Sequence, residues 1–192
     1  MSDDKLSPDT LIYAYSNGYF PMSHDEENGE IFWHRPDSRG VIPLDKFYAS
    51  KNLRRLWRNN PYTFKMNTAF KQVIEACAER ETTWINSEII DAYTELSELG
   101  YAISFEVWKD DKLVGGLYGI AIERAFFGES MFSRETNTSK LALIYLIEHL
   151  KSNDFELLDT QYLNDHLKQF GAIEIPDLKY MKMLNKAIAI SL

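Results

Sequence analysis

The stretch YAISFEVWKDDKLVGGLYGIAIERAFFGESMFS, residues 101–133, decides the fold. It carries three runs rich in β-branched and aromatic residues, interrupted by polar residues at 109–112 and again at Glu123 and Arg124. Such runs, separated by short polar turns, are typical of neighbouring antiparallel strands. We therefore predict a meander of three strands.

The chain that follows continues the pattern with helices and strands in alternation. NTSKLALIYLIEHLKSNDF (137–155) has the apolar spacing of a helix, and FELLDTQ (155–161) reads as a buried strand. LNDHLKQFG (163–171) predicts a helix and AIEI (172–175) a last strand. The order β-β-β-α-β-α-β is that of a GNAT-type acyltransferase core, an α+β fold with a mixed sheet and helices, by analogy only.

The first part of the chain predicts a small α/β N-terminal domain over residues 1–62, followed by the catalytic domain over 63–192. Ser7 and Pro8 begin a short helix. IFWHRPDSRGVIPL (31–44) reads as two short extended segments that form a small β appendage.

Three amphipathic segments lie on either side of this boundary. SKNLRRLWRNN (50–60) predicts a helix with leucines and a tryptophan on one face and arginines mostly on the other. FKMNTAFKQVIEACAER (64–80) and SEIIDAYTELSELG (87–100) predict two further helices.

Composition excludes several classes of protein. The 192 residues are 45% hydrophobic and 26% charged, as in an ordinary soluble domain, and the single cysteine, Cys77, lies at a core position of a predicted helix. A disulfide framework is impossible and a metal cluster is unsupported. The acidic N-terminus is unlike a signal peptide and no apolar run is long enough to span a membrane, so we expect a cytoplasmic protein.

Positive charge is concentrated in one segment of an acidic chain. The net charge is −8, yet residues 35–65 carry eight lysines and arginines against two aspartates. An acidic protein with one basic segment can hold a phosphate backbone there and repel it elsewhere.

One carboxylate stands among apolar residues at the end of the meander. Glu129 is flanked by Phe127, Met131 and Phe132, where an unpaired carboxylate would be costly. It either caps a neighbouring turn or meets a cationic group of a substrate.

A second polar pair lies in the strand 155–161. Asp159 and Gln161, two residues apart, share one face of an otherwise apolar strand. They form either a buried structural network or part of a site.

Aromatic residues at element boundaries form a third candidate. Trp33, Trp84 and Tyr93 are either core residues or a stacking surface for the 3′ adenosine of a tRNA. The histidines show no metal-ligand spacing, no serine or cysteine lies in a nucleophile motif, and the glycines of LVGGLYG make no phosphate-binding loop.

Six blocks together resemble a known family. AYSNGYFPM, FWHRPDSRGVIP, TTWI, LVGGLYGIAI, FFGESMFSRETNTSK and LLDTQYLNDHL are similar, in order and spacing, to the leucyl/phenylalanyl-tRNA-protein transferases, over about residues 7 to 176. The resemblance implies a GNAT-like domain that moves leucine or phenylalanine, and methionine weakly, from aminoacyl-tRNA to the N-terminal arginine or lysine of other proteins, marking them for degradation. It implies no cofactor, no metal, no acyl-CoA, no membrane and a monomer.

The resemblance also implies roles for individual residues. Asp159 and Gln161 match the family's proton relay, in which Gln161 would accept from the amine while Asp159 fixes the amide. Glu129 matches a carboxylate near the acceptor, and we expect Glu129 and Asp159 to meet its cationic residue. The remaining matches are the adenosine-binding aromatics Trp84, Trp33 and Tyr93, the motif residue Asn164, the apolar pocket of Phe126, Met131, Leu143, Leu146, Leu150 and Leu158, and the tRNA-binding cluster of Lys51, Arg54, Arg55 and Arg58.

Two other functions are compatible with parts of the pattern. A GNAT acetyltransferase that uses acyl-CoA needs a glycine-rich pyrophosphate loop, and FSRETNTSK (132–140) has no glycine there. A non-catalytic binder of basic protein N-termini, or a tRNA-binding module, would not need both a basic helix and a buried Asp-x-Gln pair.

Overall fold

The centre of the molecule is a seven-stranded mixed sheet with helices on both faces. The computed structural model describes residues 6–24, 30–80 and 83–189. Its strands are β1 (Phe20–His24), β2 (Glu30–His34), β3 (Ser38–Val41), β4 (Thr63–Met66), β5 (Ala102–Lys109), β6 (Lys112–Ile122), β7 (Ala125–Ser133), β8 (Leu157–Gln161) and β9 (Ile173–Pro176). Its α-helices are α1 (Pro8–Ser16), α2 (Lys51–Arg58), α3 (Phe70–Ala78), α4 (Ser87–Glu98), α5 (Thr138–Ser152), α6 (Asp165–Lys168) and α7 (Asp177–Ile188).

The predicted meander forms the middle of this sheet. The strand order is β4-β5-β6-β7-β8-β3-β9, and every neighbouring pair is antiparallel except β7 with β8. Asp110 and Asp111 both have positive φ angles, 47° and 60°, as a tight hairpin turn between β5 and β6 requires. The order of elements after residue 100 is confirmed through β9, and α7 follows as a helix that the sequence did not predict.

The sheet divides the hydrophobic core into two layers, because successive residues of a strand face opposite sides. Phe127 belongs to the layer that includes residues of α1, α3, α4 and α7, whereas its neighbour Phe126 belongs to the layer that includes residues of α2 and α5. Cys77 is fully buried in the first layer, as predicted, and burial raises the pKa of its thiol to about 12.

Two predicted elements in the first half were wrong in part. Residues 64–80 are not one helix: Thr63–Met66 form β4 at the sheet edge, and the helix begins only at Phe70. The two extended segments of 31–44 also separate, since β2 pairs with β1 in a two-stranded sheet and β3 enters the large sheet.

Strand β3 connects the N-terminal part of the chain to the seven-stranded sheet. It lies between β8 and β9, pairing Gly40 with Gln161 and with Glu174. The predicted boundary at residues 62 and 63 stays a prediction, but the central sheet includes strands from both sides of it.

The helix predicted at 50–60 is confirmed as α2. Ser50 caps it by accepting from the backbone N–H of Leu53, and Leu53 is buried while the cations of the helix are exposed. Within the described ranges, no helix has the length and apolarity needed to cross a membrane.

Candidate active site

A cavity of about 460 Å³ opens where β7 and β8 part. The two parallel strands are paired only from Ala125 with Leu157 to Phe127 with Asp159, and beyond that point each continues without the other. Residues 128–133 of β7 and residues 158, 160 and 161 of β8 contribute to the wall. The cavity therefore lies in the plane of the sheet and can reach both layers.

A bulge in β7 directs Glu129 into this opening. The register between β6 and β7 shifts, so that Tyr118 pairs with Ser130 and Gly119 with Gly128, leaving Glu129 as the extra residue. A bulge of this kind re-aims a side chain that regular alternation would place elsewhere. The functional interpretation of Glu129 is thus supported by its position.

The carboxylate of Glu129 is held by two donors. The hydroxyl of Tyr15 donates to Oε1 at 2.7 Å, and Nε2 of Gln161 donates to the same oxygen at 2.8 Å. Tyr15 is also hydrogen-bonded to the hydroxyl of Tyr93. Burial raises the pKa of Glu129 from 4.5 to about 7, although both hydrogen bonds act in the opposite direction.

Asp159 is engaged in a buried ion pair. Arg39 donates from Nε to Oδ1 at 2.9 Å and from Nη2 to Oδ2 at 2.7 Å, and the hydroxyl of Tyr180 donates to Oδ2 at 2.7 Å. Arg39 and Asp159 are 1% and 0% exposed. The expectation that Asp159 meets a cationic substrate group was therefore wrong, because Arg39 already neutralises it.

Asp159 orients Gln161 through the backbone and not through the side-chain amide. Oδ1 of Asp159 accepts from the backbone N–H of Gln161 at 2.7 Å, and Gln161 has a φ of 62°, a conformation rare for residues other than glycine. The side-chain amide instead donates to Glu129. The structure thus brings Asp159 and Gln161 together, but with a geometry different from the one expected.

Four buried polar side-chain atoms have no hydrogen-bond partner among the described residues, and all four belong to residues that line the cavity. They are the hydroxyl of Tyr118, Oε2 of Glu129, Oγ1 of Thr160 and Nε2 of His166. Buried polar groups in native proteins are nearly always paired, so their concentration at one place indicates a ligand site.

The wall of the cavity changes character across the sheet. Glu129, Tyr118 and Trp84 belong to the layer of α1, α3 and α4, whereas an apolar set lies toward α5. That set consists of Leu117, Met131, Leu143, Leu146, Leu158 and Leu167. An apolar group and a polar group could thus be held on opposite sides of one opening.

Of the thirteen residues predicted for catalysis and substrate binding, eight line the cavity: Trp84, Glu129, Met131, Leu143, Leu146, Leu158, Gln161 and Asn164. Five do not. Asp159, Tyr93, Phe126 and Leu150 are buried and do not line the cavity. Trp33 lies on β2 opposite Pro21 with 36% of its surface exposed. The ring of Tyr93 is fully buried and is not available for stacking on a base.

The sequence analysis missed several residues that build the site. Arg39 was counted only as part of the basic segment, and Tyr15 and Tyr180 were not singled out. Their partners lie 114 and 21 residues away in the chain, so no local spacing identifies them.

The basic segment does not act as a unit. Arg39 is buried with Asp159, and Arg35 is paired with Asp177 at 2.7 Å. Lys51, Arg54, Arg55 and Arg58 of α2 are exposed.

A second cavity, of about 440 Å³, lies beside α2. Its wall combines the cations Arg54, Arg58 and Lys151 with the rings of Tyr48 and Trp57. Tyr48 is 54% exposed, with the Arg54 guanidinium 6.0 Å from its ring centre. Positive charge beside an exposed aromatic ring is the chemistry that suits single-stranded nucleic acid.

No group of three or more potential metal-ligating side chains is found in the ranges of the chain that the structure covers. The mixed sheet that parts at its parallel pair, with a cavity at that point and a carboxylate within it, is the arrangement of a GNAT-like fold. A crystal structure of FemX has the same fold, with a TM-score of 0.57 and 12% identity over 88% of this chain and 66% of that chain.

Comparison with known sequences assigns the family within this class. Residues 41–185 match the model described as leucyl/phenylalanyl-tRNA protein transferase, and residues 4–37 match the model of its N-terminal domain. A protein of Salinibacter ruber (strain DSM 13855 / M31), named leucyl/phenylalanyl-tRNA--protein transferase, is 48% identical over 98% of this chain and 83% of its own length. The chain belongs to the leucyl/phenylalanyl-tRNA protein transferase family, and it is an aminoacyltransferase that uses aminoacyl-tRNA and a protein acceptor.

Proposed function

We propose that this enzyme transfers leucine or phenylalanine, and methionine less well, from aminoacyl-tRNA to proteins that begin with arginine or lysine. The observation that carries the proposal is the two-sided cavity between β7 and β8. The family's name supports the donor class, and the wall of the cavity supports the side chains chosen.

The transferred side chain would occupy the apolar side, against α5. Leu143, Leu146 and Leu158 present only hydrocarbon there, and a pocket of this kind discriminates by about 1–3 kcal/mol per methylene. The side chains of leucine, phenylalanine and methionine are apolar, of related volume and not branched at Cβ. A β-branched side chain would be refused on shape.

The acceptor would enter on the polar side. Oε2 of Glu129 is a buried carboxylate oxygen without a protein partner among the described residues, which suits a positively charged acceptor and not an acidic one. Gln161 uses its amide nitrogen for Glu129, which leaves its amide oxygen to accept from the α-amine. Asp159 is a positioning residue, since it holds the backbone of Gln161.

The ester of aminoacyl-tRNA is already activated, so the main task is to hold a neutral amine about 3 Å from the carbonyl carbon. The exposed cations of α2 would bind the tRNA backbone, and the second cavity beside them supports this assignment. The cytoplasm is the compartment in which both substrates are available, and we propose that the enzyme acts there as a monomer.

The test combines purified enzyme with leucyl-tRNA or phenylalanyl-tRNA and a peptide beginning with arginine. The expected result is a peptide heavier by one leucine or phenylalanine residue. Matched peptides that begin with lysine should react, and those that begin with aspartate or glutamate should not. Equal modification of aspartate peptides would contradict the acceptor assignment, and product formed from acetyl-CoA without tRNA would favour the acyl-CoA alternative.

A further inference from the structure

We propose that Glu129 is the base that removes the first proton from the acceptor's α-ammonium group, with Gln161 holding the amine and Asp159 taking no part in proton transfer. This inference rests on the proposed function. Three features support it: the engagement of Asp159, the position of Glu129 and the charged and titratable groups around Glu129.

The first feature is that Asp159 cannot act as an acceptor of the substrate's proton. Its two oxygens accept from Arg39, Tyr180 and the backbone N–H of Gln161, and it is fully buried. A relay that begins at Asp159 would have to break a buried ion pair. Glu129, by contrast, keeps one oxygen without a partner in the described chain.

The second feature is the position of Glu129 and of its hydrogen-bond donors. Glu129 is the extra residue of the bulge, and it lines the cavity together with Gln161. Both donors to Glu129, Tyr15 and Gln161, bind Oε1, so that Oε2 alone is left for the ligand. The carboxylate is therefore oriented before the acceptor binds.

The third feature is the set of titratable and charged groups that face Glu129 from every element packed against it. Tyr15 from α1, Tyr93 from α4 and Tyr118 from β6 have pKa values raised well above 10 by burial, so they stay neutral donors. Asp159 from β8 and Arg39 from β3 act in opposite directions on Glu129. Arg80 follows α3, lines the cavity and donates to Oγ of Ser130. Burial raises the pKa of Glu129 itself to about 7.

The proton and electron balance is complete without a cofactor. The ammonium gives one proton to Oε2 of Glu129 and becomes a neutral amine, whose lone pair forms the new C–N bond at the ester carbonyl. As the bond between that carbon and the 3′ oxygen breaks, the nitrogen gives a second proton to the departing oxygen. Glu129 then releases its proton to solvent, so one proton leaves per amide bond formed.

A free α-amine has a pKa of about 8, so a base is needed below that pH and becomes unnecessary above it. The experiment compares wild type with Glu129→Gln, which keeps the shape and cannot accept a proton, by kcat/KM for an arginine peptide from pH 6 to 9.5. The ratio of wild-type to variant rate should be roughly fivefold to tenfold larger at pH 6.5 than at pH 9. Glu129→Asp, which retains a carboxylate, should keep the wild-type form of the pH profile.

A ratio that stays constant with pH would overturn the proposal, because neither a structural role nor binding of the acceptor's arginine side chain depends on the protonation state of the α-amine. Full activity of Glu129→Gln at pH 6.5 would overturn it as well. Binding of uncharged tRNA and the thermal midpoint establish whether Glu129→Gln is folded. If it is not folded, Tyr15→Phe tests the proposal instead. Because the hydrogen bond from Tyr15 lowers the pKa of Glu129, its removal should shift the low-pH limb of the rate profile to higher pH. A limb that stays at the same pH would contradict the assignment. Failure of the proposed function is distinguishable, since wild type would then form no product at any pH.

Discussion

Replacement of Arg39 by methionine should destabilise the protein severely, because it leaves a carboxylate buried without its partner. Asp159 is fully buried, and its remaining donors would be the hydroxyl of Tyr180 and the backbone N–H of Gln161. Removal of one member of a buried pair costs about 3–5 kcal/mol. That is a large part of the 5–15 kcal/mol that ordinarily stabilises a domain.

Equilibrium unfolding in urea measures this loss. With a slope of about 2–3 kcal/mol/M, the midpoint should fall by roughly 1 to 2 M. Arg35→Met is the matched control, since its pair with Asp177 is about a third exposed and should contribute less than about 1 kcal/mol.

The double variant Arg39→Met, Asp159→Leu completes the cycle. Because both charges are then absent, it should be more stable than Arg39→Met alone, and the two single losses should not add. A loss below about 1 kcal/mol for Arg39→Met, or strict additivity in the double variant, would refute the reasoning that this pair is a coupled buried unit.

Three further outcomes are expected. Replacement of Arg54, Arg55 and Arg58 by alanine should raise KM for aminoacyl-tRNA and reduce the salt slope of tRNA binding by up to about three units. As a control, replacement of the exposed lysines Lys71, Lys179 and Lys182 by alanine should leave the slope unaltered. An unchanged slope in the first variant would exclude α2 from the tRNA site. Gln161→Ala should lower the transfer rate with little change in the thermal midpoint, whereas Asp159→Asn should lower both because it leaves Arg39 unpaired. Rate losses that simply add in the double variant would show that the two residues do not act as one unit. The folded pKa of Glu129, about 7, lies above its ordinary 4.5, so the stability that its protonated form contributes is present in full below pH 4.5 and is lost as pH rises through 7. Urea unfolding at pH 5 and pH 8 should therefore show that Glu129→Gln gains about 1–3 kcal/mol in stability relative to wild type between these two values. No difference between the two pH values would place this carboxylate in solvent.

The elements that the sequence predicted well are those with a strong local period. The three strands of residues 101–133 and the helix after Asn137 carry long apolar patterns and clear turns, and their sides of the sheet follow from alternation. β4 was missed because its residues continue the helical spacing of α3. The failure at β3 has another origin, since four residues cannot indicate which distant strands they join.

The candidate site was predictable in its residue types but not in its connections. Glu129 and Gln161 could be selected because their polarity contrasts with their surroundings, whereas the apolar pocket residues of α5 were implied only by the resemblance to the family. The role of Asp159 could not, because its partner Arg39 comes from a strand 120 residues earlier in the chain. A bulge leaves no mark in the sequence, so the direction of Glu129 was equally hidden.

The position of β3 bears on how the molecule is made. A ribosome synthesises residues 38–41 long before β8 and β9 exist, and during that interval the segment has neither of its neighbours in the large sheet. In the pairing of β3 with β8, Gly40 lies opposite Gln161, the residue that we expect to hold the substrate's amine. We expect the insertion of β3 between these two later strands to be a late event of folding, because pairings of large sequence separation form slowly. The nascent enzyme would have its meander before it has a competent reaction centre, and it would remain inert toward aminoacyl-tRNA until β8 and β9 have been synthesised.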